Sequence, residues 1–206
     1  MDRIDFKKTL AQLYNPKNTQ EWELVDVPEM NFLMIEGEGN PNTAKSFTEA
    51  IEALYSTSYT LKFMSKRSLG KDYGVSVLEG LWYADDMGVF EAANKEAYKW
   101  TLMIMQPEWI TQEMVDEART QVNAKKQLAA LPLITFQPYR EGISLQLLHV
   151  GSFDDEAPKL NELHHEYMPA HQYEFHGHHH EIYLSDMRRT APEKLRTILR
   201  QPIKSL

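Results

Sequence analysis

The most constraining feature of this chain is an echo between its two halves. Met34-Ile35-Glu36-Gly37, ahead of one helical pattern, is answered by Leu148-His149-Val150-Gly151 ahead of another. Leu78-Glu79-Gly80-Leu81-Trp82-Tyr83, after the first helix, is answered by His180-Glu181-Ile182-Tyr183-Leu184-Ser185 after the second. A recurrence of this kind suggests one supersecondary unit used twice, because a unit that cannot bury its apolar face alone gains a core by packing on a copy. Short apolar strands that end in glycine also resemble one another by chance, so the order of the elements has to support the echo.

Residues 2–14 place Ile4, Phe6, Leu10, Leu13 and Tyr14 at helical spacing until Asn15-Pro16 ends the pattern, which reads as an N-terminal helical arm within residues 1–22. Asn31 to Glu38 reads as a strand closed by a turn cluster that runs to Asn42. Thr43 to Lys66 follows as a helix with Phe47, Ile51, Leu54, Tyr55, Leu61 and Phe63 mostly on one face, and an irregularity near Ser56-Thr57-Ser58. Tyr73 to Tyr83 and Trp100 to Met105 read as strands. Thr111 to Leu128 reads as a helix capped by Thr111, with acidic residues in the first turn where the helix dipole favours them. The order then restarts with strands at Phe136 to Tyr139 and Ile143 to Val150, a helix from Glu156 to Met168, and a strand from His179 to Leu184. The expected class is α+β, a strand-helix-strand-strand module repeated over about residues 23–128 and 133–206 of one domain spanning 23–206.

Several functions are disfavoured by what the chain contains. Its net charge of −8 opposes approach to a polyphosphate backbone, so nucleic acid is not expected as a partner. The absence of cysteine removes disulfides, thiolate metal sites and thiol nucleophiles. No apolar run suits a signal peptide or a membrane span, so the expected location is cytoplasmic and no membrane partner is expected. Gly37-Glu38-Gly39 lacks the later glycine and lysine of a phosphate-binding loop, and there is no G-x-S-x-G elbow. Asp154-Asp155-Glu156 reads as the acidic start of a helix.

Strand alternation puts His179, Glu181 and Tyr183 on one side and His178, His180, Ile182 and Leu184 on the other. Ile182 and Leu184 are expected to face the core, leaving Glu181 and Tyr183 on the open face. Glu79 falls with Val77, Leu81 and Tyr83, where apolar neighbours favour a raised carboxyl pKa of the kind that suits a proton acceptor or an anchor for a cationic ligand. Either glutamate could instead be an ordinary strand residue. The histidines of residues 176–180 are read as structural rather than metal-ligating, since no HExxH and no cysteine completes a site. Trp82, Trp100, Trp109, Tyr73, Phe136 and Tyr139 are candidate walls for a flat ligand, joined by Met105, His149 and His179, and each of them has a packing role as its alternative.

Five blocks in order resemble the GyrI-like small-molecule-binding family: Glu36 to Pro41, Leu78 to Trp82, Gln146 to Glu156, His179 to Asp186 and Lys194 to Pro202. The resemblance covers nearly the whole chain after the arm. It implies a duplicated module whose halves form a curved antiparallel sheet, with helices on one side and a ligand groove on the other. In related multidrug-sensing regulators a groove glutamate meets cationic aromatic drugs, and Glu181 and Glu79 are the matching candidates; the DNA-binding domain of such regulators has no counterpart here. Some stand-alone members act as cyclopropanoid cyclopropyl hydrolases, which open the strained ring of DNA-alkylating natural products with water. The resemblance therefore implies a cofactor-independent hydrolase of hydrophobic aromatic small molecules, with Glu181 or Glu79 activating water and Tyr183 or another donor stabilising charge on a conjugated carbonyl oxygen. Such an enzyme would serve detoxification and drug resistance. The alternative is a non-catalytic binder or sensor of amphipathic, cationic or aromatic drugs, and no surface in the sequence identifies a protein partner.

Overall fold

The computed structural model describes residues 3–86 and 88–206. In chain order its elements are α1 (Phe6–Thr9), α2 (Ala11–Tyr14), β1 (Glu23–Glu38), α3 (Lys45–Met64), β2 (Glu79–Tyr83), α4 (Gly88–Glu91), β3 (Lys99–Gln106), α5 (Gln112–Lys125), β4 (Thr135–Val150), α6 (Ala157–Glu162), α7 (Met168–Ala170), β5 (Tyr173–Phe175), β6 (His179–Tyr183) and β7 (Arg196–Ser205). The order strand, helix, strand, strand occurs in each half, with β5 added in the second. Among the described residues no helix is long and apolar enough to cross a membrane.

All strand pairs are antiparallel, in the order β4-β1-β3-β2-β6-β7, and a further β4–β7 pairing joins the two ends. The expected curved sheet is therefore closed into a six-stranded barrel, with β5 continuing the edge of β7 beyond β4. Closure satisfies backbone donors and acceptors that an open edge would expose.

Helices pack on two parts of the outer wall. Leu33, Ile35, Leu102 and Ile104 of β1 and β3 bury against Phe47, Ala50, Leu54 and Leu61 of α3 and Val115, Ala118 and Val122 of α5. Thr111 caps α5 as its sequence predicts, accepting from the Met114 amide at 3.4 Å. On the other part, Leu145, Leu147, Leu199 and Ile203 pack with Leu163 and Met168. The helix expected from Glu156 to Met168 is interrupted, with the π-helical turn Leu163–Tyr167 between α6 and α7.

The side away from these helices, where the sequence reading placed a groove, is the barrel interior, and side chains occupy it. Phe32, Met34, Leu81, Met103 and Met105 fill one end. Val25, Val27, Leu148, Ile182 and Ile198 fill the other, with Leu13 and Tyr14 of the arm inserted among them. Inward residues change parity along β1, from Val25 and Val27 to Phe32 and Met34, across Pro28, which cannot donate to a ladder. Beside it in β4, Gly142 adopts φ +77, and the inward set changes from Tyr139 and Glu141 to Ser144 and Gln146. This paired kink turns Glu141 into the barrel.

Gly37 marks the tightest approach to the outer core. A Cβ built there would lie 2.2 Å from the buried Trp100 ring, which packs edge-on to Phe47. Gly37→Ala is expected to displace that ring and cost about 1–3 kcal/mol, the usual penalty of overpacking, as measured by urea denaturation.

Candidate active site

Directly opposed residues in an antiparallel pair share a face. Between β2 and β6, Glu79 faces Ile182 and Gly80 faces Glu181. The two glutamates that the sequence aligned as partners thus point to opposite sides of the barrel wall, Glu79 inward with Ile182 and His180, and Glu181 outward with Trp82 and His179.

Inside, Glu79 is enclosed. The Tyr14 hydroxyl donates to its Oε1 at 2.8 Å, and His180 Nε2 lies 3.0 Å from its Oε2. The other His180 nitrogen sits 3.0 Å from both oxygens of Glu141. Arg200 Nη1 donates to Glu141 at 3.1 Å, and its other nitrogens donate to Gln146 and to the Leu13 carbonyl. Every charged member is buried, so each charge depends on its neighbours. Burial alone would lower the His180 pKa, but Glu141 and Glu79 outweigh it and raise it to about 9. Burial likewise opposes ionisation of Glu141, yet His180 and Arg200 hold its pKa below the usual carboxylate range. No solvent reaches Glu79, and its surroundings assign it to holding the arm and barrel together.

Outside, Glu181 is part-exposed, with 15% of its side chain accessible. The Tyr183 hydroxyl donates to Glu181 Oε2 at 2.7 Å and accepts from the Trp82 indole at 3.0 Å. Burial first, then the neighbouring Glu181, raises the Tyr183 pKa well above that of a free phenol, so Tyr183 remains a donor. His179 Nε2 lies 3.6 Å from Glu181 Oε1, and neither ring nitrogen of His179 has a hydrogen-bond partner. Aromatic rings surround the pair: Phe153 meets Tyr183 edge-on at 5.9 Å, Tyr98 meets Trp82 at 6.2 Å, and Phe90 meets Tyr98 at 4.5 Å. Gly80, opposite Glu181, leaves room there, since a Cβ would stand 3.2 Å from both the Trp82 indole nitrogen and the Tyr183 hydroxyl.

The helix start after β4 closes one side. Ser152 and Asp155 form a reciprocal capping box, and Glu156 precedes α6. Its carboxyl interacts with the hydroxyl of Thr197, the residue paired with Tyr183 across β6 and β7. Glu156 is 4% exposed, and its Oε1 is buried with no hydrogen-bond partner. Burial, then the charge of Glu181, pushes the Glu156 carboxyl up to about 10.

Of the candidates proposed from sequence, the structure gathers Glu181, Tyr183, Trp82 and His179. His149, paired with Thr197, lies next to them with Nε2 3.0 Å from the Ser152 carbonyl. Trp100 packs behind Phe47 in the outer core. Trp109 donates to Ser65 and meets Tyr73 edge-on, while Phe136 borders the same core. Tyr139 and Met105 belong to the barrel interior. Sequence reasoning missed Glu156, Thr197, Phe153 and Tyr98; only the acidic start of α6 was visible, and capping accounted for it. Among the described residues no group of three or more His, Asp or Glu side chains is arranged to hold a metal.

A model of the GyrI-like small molecule binding domain matches residues 20–204. Among solved structures the chain is similar to an uncharacterized conserved protein from Listeria innocua, at 35% identity over 98% of this chain and 100% of that one, with TM-score 0.89. It is also similar to a hydrolase from Listeria innocua, at 36% identity with the same coverage and TM-score 0.84. The EcmrR C-terminal domain shares the fold at 11% identity and TM-score 0.57, over 90% of this chain and 98% of that one. A comparison with curated proteins gave no match. With the match extending from before β1 into β7, the chain belongs to the GyrI-like small-molecule-binding family.

Proposed function

We propose that this GyrI-like protein is a hydrolase that opens the cyclopropane ring of electrophilic, aromatic alkylating compounds, with Glu181 as the base that activates water. The observation that carries the reading is a part-open carboxylate held by the Tyr183 hydroxyl and bordered by Trp82, Tyr98 and Phe153. Glu181 takes a proton from water as oxygen bonds to the ring carbon. The aromatic side chains supply flat contact area for a heteroaromatic body, and ring strain lowers the demand on the protein, so positioning and one base suffice. Glu79 is left out of the chemistry because Tyr14 and His180 enclose it. The similar Listeria hydrolase supports hydrolysis as the reaction type.

The same features also suit a binder that retains aromatic or cationic ligands unchanged, since a carboxylate among aromatic rings attracts cations as readily as it activates water. Incubation with a cyclopropane-bearing alkylator in 18O-labelled water separates the two. Multiple turnovers to a ring-opened product carrying one labelled oxygen are expected; stoichiometric retention of intact compound across a panel of such substrates would establish the binder instead.

A further inference from the structure

Glu156 stands out as a buried carboxyl at the N-cap of α6 whose side chain makes no capping hydrogen bond, while the capping box of the preceding turn belongs to Ser152 and Asp155. Its Oε1 has no partner in spite of full burial, a costly arrangement for an ionised group and a tolerable one for a neutral acid. Its carboxyl interacts with the hydroxyl of Thr197, the strand partner of Tyr183, and Tyr183 in turn hydrogen-bonds Glu181. Phe153 of the same turn meets the Tyr183 ring edge-on, which sets the turn against the residue that holds Glu181. A buried carboxyl beside a second acidic group keeps its proton more readily than it adds a second charge.

Resting on the reading of Glu181 as the base, we infer that Glu156 is the acid of the same reaction, completing a one-proton carboxyl pair in which Glu181 accepts the proton of water and Glu156 donates to the oxygen where charge develops. The balance closes on the protein itself. Water oxygen bonds to the ring carbon, the ring C–C bond breaks, and its electron pair passes through the conjugated system to the carbonyl oxygen. Glu181 gains the proton of water while Glu156 protonates that oxygen. Transfer of the proton from Glu181 back to Glu156 restores the pair, and the net change is addition of one water. The pair therefore favours substrates whose cyclopropane is conjugated to a carbonyl, and it gives no proton-donor advantage for an isolated ring.

The groups around Glu156 are Glu181 and Tyr183 of β6, Thr197 of β7, His149 of β4, and Asp154 and Asp155 of its own turn, with Lys95 3.9 Å from Asp154. The charges nearest to it are acidic and retain its proton. Burial and Glu181 hold that proton up to about pH 10, so the alkaline limb of turnover is expected there.

The test compares Glu156→Gln, Thr197→Val and Glu181→Gln with a spirocyclopropyl dienone as substrate. Glu156→Gln keeps size and a neutral donor but has no proton to give, so turnover is expected to fall about 100-fold and the alkaline limb to vanish. Thr197→Val removes the hydroxyl that eases ionisation of Glu156, so the limb is expected to move to higher pH. A separate readout reports protonation without activity. An ordinary carboxyl in the unfolded chain ionises near pH 4.5, whereas the native one does not until about 10, so the loss of stability as pH rises from 5 to 8 is steeper in the wild type than in Glu156→Gln. The melting temperature of Glu156→Gln is expected to gain on the wild type over that range. An unchanged alkaline limb in Glu156→Gln, or a constant melting difference, would overturn the inference. Should Glu156→Gln not fold, an unmoved limb in Thr197→Val decides against it. Full turnover in Glu181→Gln overturns the base itself, a failure distinguishable from that of Glu156.

Discussion

Glu181→Gln is expected to reduce hydrolysis of a cyclopropane-bearing substrate by about 100- to 10,000-fold, the range typical of losing a positioned general base, while leaving affinity for a neutral aromatic ligand nearly unchanged. Glutamine matches the shape of glutamate and still accepts from the Tyr183 hydroxyl, so the Trp82–Tyr183 hydrogen bond and the surrounding rings are retained. What is lost is the capacity to take a proton. The loss should therefore appear in kcat with little change in ligand Kd, measured by single-turnover kinetics beside calorimetric titration. A variant with wild-type kcat would remove Glu181 from the mechanism. A parallel collapse of both parameters would show that the carboxylate binds rather than reacts.

The second large effect concerns stability. His180→Ala leaves Glu79 and Glu141 facing one another inside the barrel with only Tyr14 and Arg200 to compensate, and breaking a buried ion pair in this way typically costs about 3–5 kcal/mol. The sign with pH follows from the two shifts. His180 is raised from 6.5 to about 9, so its contribution is fully present below pH 6.5 and is lost as pH climbs through 9. Glu141 is lowered, so its contribution is present above its unfolded value of 4.5 and is lost as pH falls through the native one. This network therefore favours greatest stability between about pH 4.5 and 6.5, and the decline above 6.5 should flatten in His180→Ala. Adding Glu79→Gln to that variant removes one of the stranded charges and is expected to recover part of the loss. Guanidinium denaturation from pH 5 to 9 measures all three effects. A His180→Ala protein as stable as the wild type at pH 6 would show that the network contributes nothing net.

Local patterning carried much of the architecture. Apolar residues at helical spacing marked α3, and Thr111 with the acidic first turn behind it marked α5, because a capping hydroxyl acts within one turn. Strict alternation separated Glu181 and Tyr183 from His180 and Ile182 correctly, since side-chain direction along one strand is a property of the backbone alone. Two strands expected at Phe136 to Tyr139 and Ile143 to Val150 are one, β4, continued through the kink at Gly142. The closing strand β7 was not read as a strand at all. Its Arg200 is fully buried, because Glu141, Gln146 and the Leu13 carbonyl satisfy its donors.

The sequence by itself determined the family, the run of β1, α3, β2, β3 and α5 in the first half and the outward direction of Glu181, all of which depend on contiguous residues. Only the tertiary structure decided that the sheet closes through β4 and β7, that Glu79 faces the interior while Glu181 faces outward, and that Glu156 arrives beside Thr197 and Tyr183. The reason is register. A shift of one residue between two strands reverses the face of every side chain, and the pairing of Gly80 with Glu181 is what sends the two repeat-matched glutamates to opposite sides of the barrel wall.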